Sequence, residues 1–334
     1  MIGEFITRRL SIAPMMECTD PHERYFLRLC SRHALLYTEM IPTQAVWHGR
    51  GERLLAYNTE EHPVAVQFGG SDPRQLAYCA RMAEGYGYDE VNLNVGCPSA
   101  RVQAGRFGAC LMAEPSLVAE LVACMREATR LPVTVKTRIG IDQQHGYDAL
   151  ASFVECVAGA GCRTFIVHAR KAWLQGLSPK ENRARPPLRH DRVHRLKRDF
   201  PQLEIVINGG IRTLEQVEEQ LSWVDGVMLG REAYRNPYLL ANADARLFGD
   251  TRPVRTRHEL VRAYLPYVER QLAGGARVSC MTRHILGLYQ GMPGARAWRS
   301  HLSEWGSRRG AGTEVILQAL SLLPGEIEIG HAIA

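Results

Sequence analysis

No apolar run in this sequence approaches the roughly 18 residues that a membrane-spanning helix requires, so no membrane association is expected. The opening residues Met1-Ile2-Gly3-Glu4-Phe5 lack the basic and apolar blocks of a secretory signal, and a cytoplasmic location is the expectation. None of the nine cysteines stands in a CxxC pair, so a zinc site has little support and no metal is expected. Scattered and odd in number, they read as small buried hydrophobes of a reducing compartment. A role for any one of them has to be argued from its surroundings. Internal repeats and low-complexity tracts are absent, and nothing points to a stable protein partner. From Thr251 to Ala334 there is neither lysine nor aspartate. Eleven arginines there face six glutamates, so five of the chain's six net positive charges fall in its last quarter. Such a segment suits a polyanion partner, and equally a solvated helical surface with a chance bias.

With 334 residues, 46% of them hydrophobic, the chain can bury one large core and a small additional one. Short β-branched runs recur through the first 230 residues: 10–14, 35–39, 63–68, 90–95, 133–136, 164–168, 204–208 and 225–230. Helical patterns such as 116–128 and 147–158 lie between them. Eight strands alternating with helices predict an α/β fold, a (β/α)8 TIM barrel. A doubly wound open sheet competes, but no GxGxxG follows the first strand. Residues 231–248 read as a barrel-closing helix, 245–253 as a linker, and the rest as a small all-helical domain. The expected division is therefore 1–245 and 254–334.

Barrel enzymes place their chemistry at the C-terminal ends of the strands. Here those ends carry Pro14-Met15-Met16, Glu39-Met40, Gln67, Asn94 to Cys97, Lys136 with Arg138, His168, Asn208-Gly209-Gly210 and Gly230-Arg231. Strands buried on both faces have little structural use for so many polar groups. The glycines after the seventh and eighth strands, with Arg231, suit a cofactor phosphate. Lys136 suits an anionic group such as a reduced flavin ring. Gln67 offers a donor and an acceptor to a heterocycle edge.

Cys97 lies in Asn94-Val95-Gly96-Cys97-Pro98-Ser99, where Gly96 and Pro98 are expected to force a tight bend. An ordinary thiol titrates at about 8.5 and is mostly protonated at neutral pH, which suits a general acid. The bland alternative is a buried inert thiol. The segment 169–192 is a basic loop carrying Lys171, Trp173, Lys180, Arg183, Arg185 and Arg189, a mixture suited to RNA. In the tail, Arg296 and Arg299 share one face if helical, and Arg283-His284 forms a second basic pair.

Taken together these stretches resemble the tRNA-dihydrouridine synthases. The matching segments are Ala13-Pro14-Met15, Asn92 to Pro98, Val135-Lys136-Thr137-Arg138, Val167-His168-Ala169-Arg170, Asn208-Gly209-Gly210 and Leu229-Gly230-Arg231. The runs His168 to Trp173 and Ser178 to Arg183 resemble the A subfamily. The resemblance implies FMN held by Pro14, Met15, Met16, Gln67, Lys136, His168, Asn208, Gly209, Gly210, Gly230 and Arg231, with NADPH as reductant. It implies reduction of uridine 20 or 20a in the tRNA D-loop, hydride reaching C6 and Cys97 protonating C5. Asn94 and Arg138 would orient the flipped-out base. Lys180, Arg183, Arg296 and Arg299 match tRNA-contacting positions. Two alternatives are a flavin reductase of a free small molecule, similar to dihydroorotate dehydrogenase, and a non-catalytic RNA-binding protein on the same barrel.

Overall fold

The computed structural model describes residues 7–144 and 146–324. Met1–Phe5 and the end of the helical tail lie outside these. Eight parallel strands form a closed barrel in sequence order: β1 Leu10–Ile12, β2 Leu35–Pro42, β3 Val64–Gly69, β4 Glu90–Val95, β5 Val133–Arg138, β6 Thr164–His168, β7 Glu204–Asn208 and β8 Gly226–Leu229. Every expected strand is present. Three run further than expected, β3 by the single residue Gly69. β5 continues to Arg138, so Lys136 lies within the strand, and Arg138, two residues on and on the same face, ends it. β2 continues to Pro42, and its register against β3 shifts between Tyr37 and Met40. At that irregularity the Thr38 hydroxyl replaces a ladder carbonyl and accepts the Gln67 N–H at 3.1 Å.

The helices around the barrel follow from local sequence. Asp72 caps Pro73–Tyr86 through the N–H groups of Arg74 and Gln75, with proline at the first position where no N–H is needed. Gly87, at φ 86°, ends it. Its buried residues Leu76, Cys79, Ala80 and Ala83 keep helical spacing. Val118, Leu121, Val122 and Met125 repeat that spacing on the neighbouring helix Pro115–Ala128, against which it packs.

Inside the barrel, Ala13, Leu35, Tyr37, Ala65, Ile166, Val206 and Met228 form an apolar cluster. Toward the N-terminal ends of the strands the filling is ionic. Glu90 is fully buried and accepts from Arg8 Nε at 2.6 Å, Tyr37 Oη at 2.5 Å and Thr134 Oγ1 at 2.6 Å. Arg8 also reaches Glu204 at 2.9 Å, which accepts from Thr164 at 2.7 Å. Burial disfavours the Arg8 cation, but Glu90 and Glu204 outweigh it and raise its pKa. Removing one partner of such a buried pair typically costs about 3–5 kcal/mol, because the other charge is stranded.

By packing, the chain divides into two compact units. The first holds the described residues up to Glu17 together with Ala34–Gly230. The second holds Cys18–His33 and the chain from Arg231 onward. Residues 231–248, expected as one barrel helix, group with the second unit and are broken into Arg231–Arg235, Pro237–Asn242 and Ala243–Phe248. Pro237 explains the break, since it lacks an N–H and holds Asn236 out of helical geometry at φ −138° and ψ 71°. Within this unit the helix Pro21–Cys30 packs on Arg257–Ala273. Tyr25 stacks on Tyr267 at 3.9 Å between centroids, Phe26 meets Tyr264 edge-on at 5.2 Å, and the Tyr264 hydroxyl donates to the His22 carbonyl. A Thr256–Glu259 capping box starts the longer helix.

Candidate active site

The loop after β4 is fixed by side chains rather than by glycine geometry. Asn94 Oδ1 accepts the main-chain N–H of Gly96 at 3.1 Å and of Cys97 at 3.0 Å, closing an Asx-type turn. Gly96 does not occupy the left-handed region, and a β-carbon there would come no nearer than 3.4 Å to its neighbours. The expected glycine-driven bend is therefore an asparagine-driven one. The Cys97 carbonyl accepts the Ala109 N–H at 2.9 Å, and Gly108, at φ 79°, allows that approach, since a β-carbon would lie 2.6 Å from the carbonyl oxygen. Cys97 itself is half-buried.

Arg138 is 4% exposed and donates to three carbonyls: Gly96 at 2.8 Å, Lys171 at 3.2 Å and Asn182 at 3.1 Å. It thereby ties the Cys97 loop to the loop after β6. Asn182, fully buried, holds that second loop by accepting from Trp173 N and donating to Trp173 O and Leu177 O. Gln103 joins the two loops again through Pro98 O and Leu174 O. Lys171 lies 3.8 Å over the Trp173 ring. Lys180 and Arg183 are exposed on the same loop.

Lys136 donates to Asn208 Oδ1 at 3.3 Å, while Asn208 Nδ2 donates to Met228 O at 2.7 Å. Among the described residues no carboxylate lies within ion-pair distance of Lys136 or Arg138. Burial, reinforced by the Arg138 charge and opposed by Cys97, brings the Lys136 pKa down to about 7. Burial, followed by the charges of Arg138 and Lys136, pushes His168 well below its ordinary value. This end of the barrel is thus positive and lacks its own counterion, an arrangement that suits an anionic ligand.

The glycines after the strands differ in their reasons. Gly209 and Gly210 adopt φ 115° and 80°, and β-carbons there would meet His168 at 2.6 Å and Leu188 at 2.3 Å. His190 donates to the Gly209 carbonyl at 2.7 Å. A β-carbon on Gly230 would meet nothing within 4 Å, so packing does not require that glycine and the space beside it is open. Together with the unneutralised cations, this space makes the residues compatible with a phosphate-bearing cofactor. Pro14 and Met15 are half-buried, and Met15 packs on the apolar cluster inside the barrel. Met16 is 58% exposed. Gln67 is buried, with Nε2 donating to Asn92 and Oε1 accepting from Asn94, each at 2.7 Å.

The remaining predicted positions belong to the second unit. Arg231 is exposed at the start of Arg231–Arg235. Arg296 and Arg299 are exposed on Ala295–Trp305, opposite the buried Ala295, Trp298 and Leu302. Trp298 anchors that helix by donating to the Ile285 carbonyl at 2.9 Å. Arg299 lines a cavity of about 620 Å³ with Arg235, Arg283, Tyr234 and Gln290. Sequence reasoning missed Arg235, Asn182, Asn92 and Thr134. An isolated amide or hydroxyl carries no local mark of burial, although Asn92 and Thr134 stood inside recognised strands.

A sequence profile of the family Dihydrouridine synthase (Dus) matches residues 11–322. The tRNA-dihydrouridine(20/20a) synthase of Vibrio vulnificus is 59% identical over 96% of this chain and 98% of its own. The protein of the same name from Shewanella oneidensis is 60% identical over 93% and 92%, respectively. A solved 2-naphthoyl-CoA reductase complex shares the fold at a TM-score of 0.55 and 11% identity, covering 70% of this chain and 49% of that one. With a profile match running from the first barrel strand into the last described helix, and relatives near 60% identical over almost the full length, the chain belongs to the dihydrouridine synthase family.

Proposed function

We infer that this protein is a tRNA-dihydrouridine synthase acting on uridine 20 and 20a of the D-loop. The observation that carries the reading is the near-full-length identity with relatives bearing that name. The positive, counterion-free end of the barrel beside Cys97 agrees with it. FMN, reduced by NADPH, supplies hydride to C6 of the uracil ring when bound. Gly209, Gly210, Gly230 and Arg231 would receive its phosphate, and Lys136 would stabilise negative charge on its ring. Pro14, Met15, Met16, Gln67, His168 and Asn208 complete its surroundings.

Cys97 donates the proton to C5. Its loop is held through both the N–H and the carbonyl of Cys97, which restricts the thiol's position and so favours proton transfer. Asn94 and Arg138 contribute to orienting the base, and both also brace that loop. A base stacked in the D-loop cannot reach a barrel interior, so the target nucleotide is flipped out. Lys180 and Arg183 on the β6 loop, and Arg296 and Arg299 in a helical tRNA-binding domain over 254–334, neutralise backbone phosphates. The cytoplasm, where tRNA is modified, is the proposed location.

The test is dihydrouridine formation in unmodified tRNA with purified protein, FMN and NADPH. Product mapped to the D-loop supports the reading. No product in a flavin-loaded sample, with either unmodified tRNA or tRNA from cells lacking the enzyme, redirects it to a reductase of free small molecules.

A further inference from the structure

A single file of hydrogen bonds runs through the barrel interior from Cys97 to Glu90. The Cys97 N–H donates to Asn94 Oδ1, and Asn94 Nδ2 donates to Gln67 Oε1. Gln67 Nε2 donates to Asn92 Oδ1, Asn92 Nδ2 to Thr134 Oγ1, and the Thr134 hydroxyl to the Glu90 carboxylate. The four links below Asn94 are 2.6–2.7 Å long, and every donor points the same way.

Both ends force that polarity. Main-chain N–H groups can only donate, so Asn94 must present oxygen to the Cys97 loop. A carboxylate paired with Arg8 can only accept, so Thr134 must donate to Glu90. The two amides between have no freedom to flip. After these bonds, Gln67, Asn92 and Asn94 each keep one side-chain N–H with no acceptor among the described residues. Gln67 is 1% exposed, and its remaining donor is the one that the flavin reading would pair.

We propose that Glu90, at the N-terminal end of β4, is a positioning residue that acts through Thr134 and Asn92 to hold Gln67 in the orientation that Asn94 also requires, so that Gln67 presents a donor, not a lone pair, to the bound flavin. The proposal rests on the flavin reading above. Glu90 is about four strand residues from Asn94, roughly 13 Å at 3.3 Å per residue, so it does not touch the flavin. A chain of aligned dipoles ending on an anion is also mutually reinforcing in a low-dielectric interior.

Glu90→Gln keeps shape but supplies one oxygen where two are needed. With that oxygen toward Arg8, an N–H faces Thr134 and drives the file to reverse. The reversal collides with Asn94, which the main chain holds fixed. Thr134→Val breaks the file while leaving the Arg8–Glu90 pair in place. Thr164→Val removes a bond to Glu204 outside the file and serves as the control for plain loss of stability.

The experiment measures FMN dissociation constants on apo-protein, the visible absorption band of bound flavin, and kcat and KM for tRNA, in wild type and the three variants. Glu90→Gln and Thr134→Val are expected to weaken FMN binding at least about tenfold and shift the band. Their kcat falls while KM for tRNA moves less than about twofold, and Thr164→Val keeps wild-type flavin affinity at an equal loss of Tm. Wild-type affinity and spectrum in folded Thr134→Val overturns the proposal, even if Glu90→Gln does not fold. So does a loss of affinity in all three that merely tracks Tm. Failure of the wild type to bind FMN would instead overturn the underlying flavin reading.

Discussion

Asn94 accepts the main-chain N–H of Cys97 at 3.0 Å, so the residue expected to orient the substrate base also builds the turn that carries the proposed acid. Its two duties use different atoms. Oδ1 is committed to the loop, and Nδ2 retains a hydrogen after bonding Gln67. Changes at Asn94 therefore disturb the acid and the base together, whereas changes at Cys97 isolate the acid.

Cys97→Ala is expected to leave flavin binding intact, because the loop is held through main-chain atoms that alanine also has. Product formation should fall by about 10²–10⁴, the usual contribution of a positioned general acid. Single-turnover formation of dihydrouridine checks this, and a wild-type rate would remove the thiol from the mechanism.

Arg296→Ala combined with Arg299→Ala should weaken tRNA binding while sparing NADPH oxidation in the absence of RNA. Both side chains are exposed on one helix face, and Trp298 between them anchors the opposite face. If each neutralises one phosphate, the slope of log K against log salt should flatten by about 1.4–1.8. Filter binding across a salt series reads it directly, and an unchanged slope places the RNA surface elsewhere.

Lys136 imposes a proton linkage on anion binding. Burial, reinforced by the Arg138 charge, brings its pKa in the folded protein down to about 7, against 10.5 for an ordinary lysine. In the ligand-free protein, stability should therefore rise with pH between these values, since the unfolded chain binds the additional proton there. An anionic ligand favours the charged lysine, so above pH 7 binding takes up a proton, and affinity should fall by up to about tenfold per pH unit. Calorimetry in buffers of different ionisation enthalpy measures that uptake. Lys136→Met should abolish it and flatten the affinity profile.

Asp20 is the stability hinge of the second unit. It caps Pro21–Cys30 through the N–H groups of His22 and Glu23, and its carboxylate pairs with Arg283 at 2.6 Å and with His284 at 3.0 Å. Burial alone would raise its pKa, but those partners outweigh burial and depress it strongly. The contribution is present above the ordinary aspartate pKa and is lost as pH falls through the depressed value. Asp20→Ala should cost about 2–4 kcal/mol, combining a lost cap with lost charge-assisted bonds. Urea denaturation at pH 7 and at pH 3 tests both the size and the sign, because the gap between wild type and variant should narrow at the lower pH.

The barrel was legible because β-branched runs recur at even intervals, and because polar residues break the apolar pattern where strands finish. The identity of the polar ring was legible too, but not its division of labour. Gln67, Asn94 and Arg138 were read as ligand contacts, yet each spends most of its hydrogen bonds inside the protein. Glu90 read as an ordinary start of a strand, and only the fold brings Arg8, Tyr37 and Thr134 around it from three other segments. The bend at Cys97 is expected from Gly96 and Pro98, while Asn94 Oδ1 accepts the two main-chain N–H groups that close it. Local sequence names a turn, but which neighbour closes it depends on side-chain reach. Residues 231–248 read as one helix, whereas Pro237, which cannot donate a main-chain hydrogen bond, divides them.

The second compact unit is assembled from two stretches separated by almost two hundred residues. On a ribosome adding about 5–20 residues per second, Tyr25 and Phe26 therefore emerge roughly ten to fifty seconds before Tyr264 and Tyr267 can cover them. A helix bearing exposed aromatic rings must wait through synthesis of the whole barrel. A gene fragment encoding only the tail would lack that helix and leave Tyr264 and Tyr267 without the rings that pack on them.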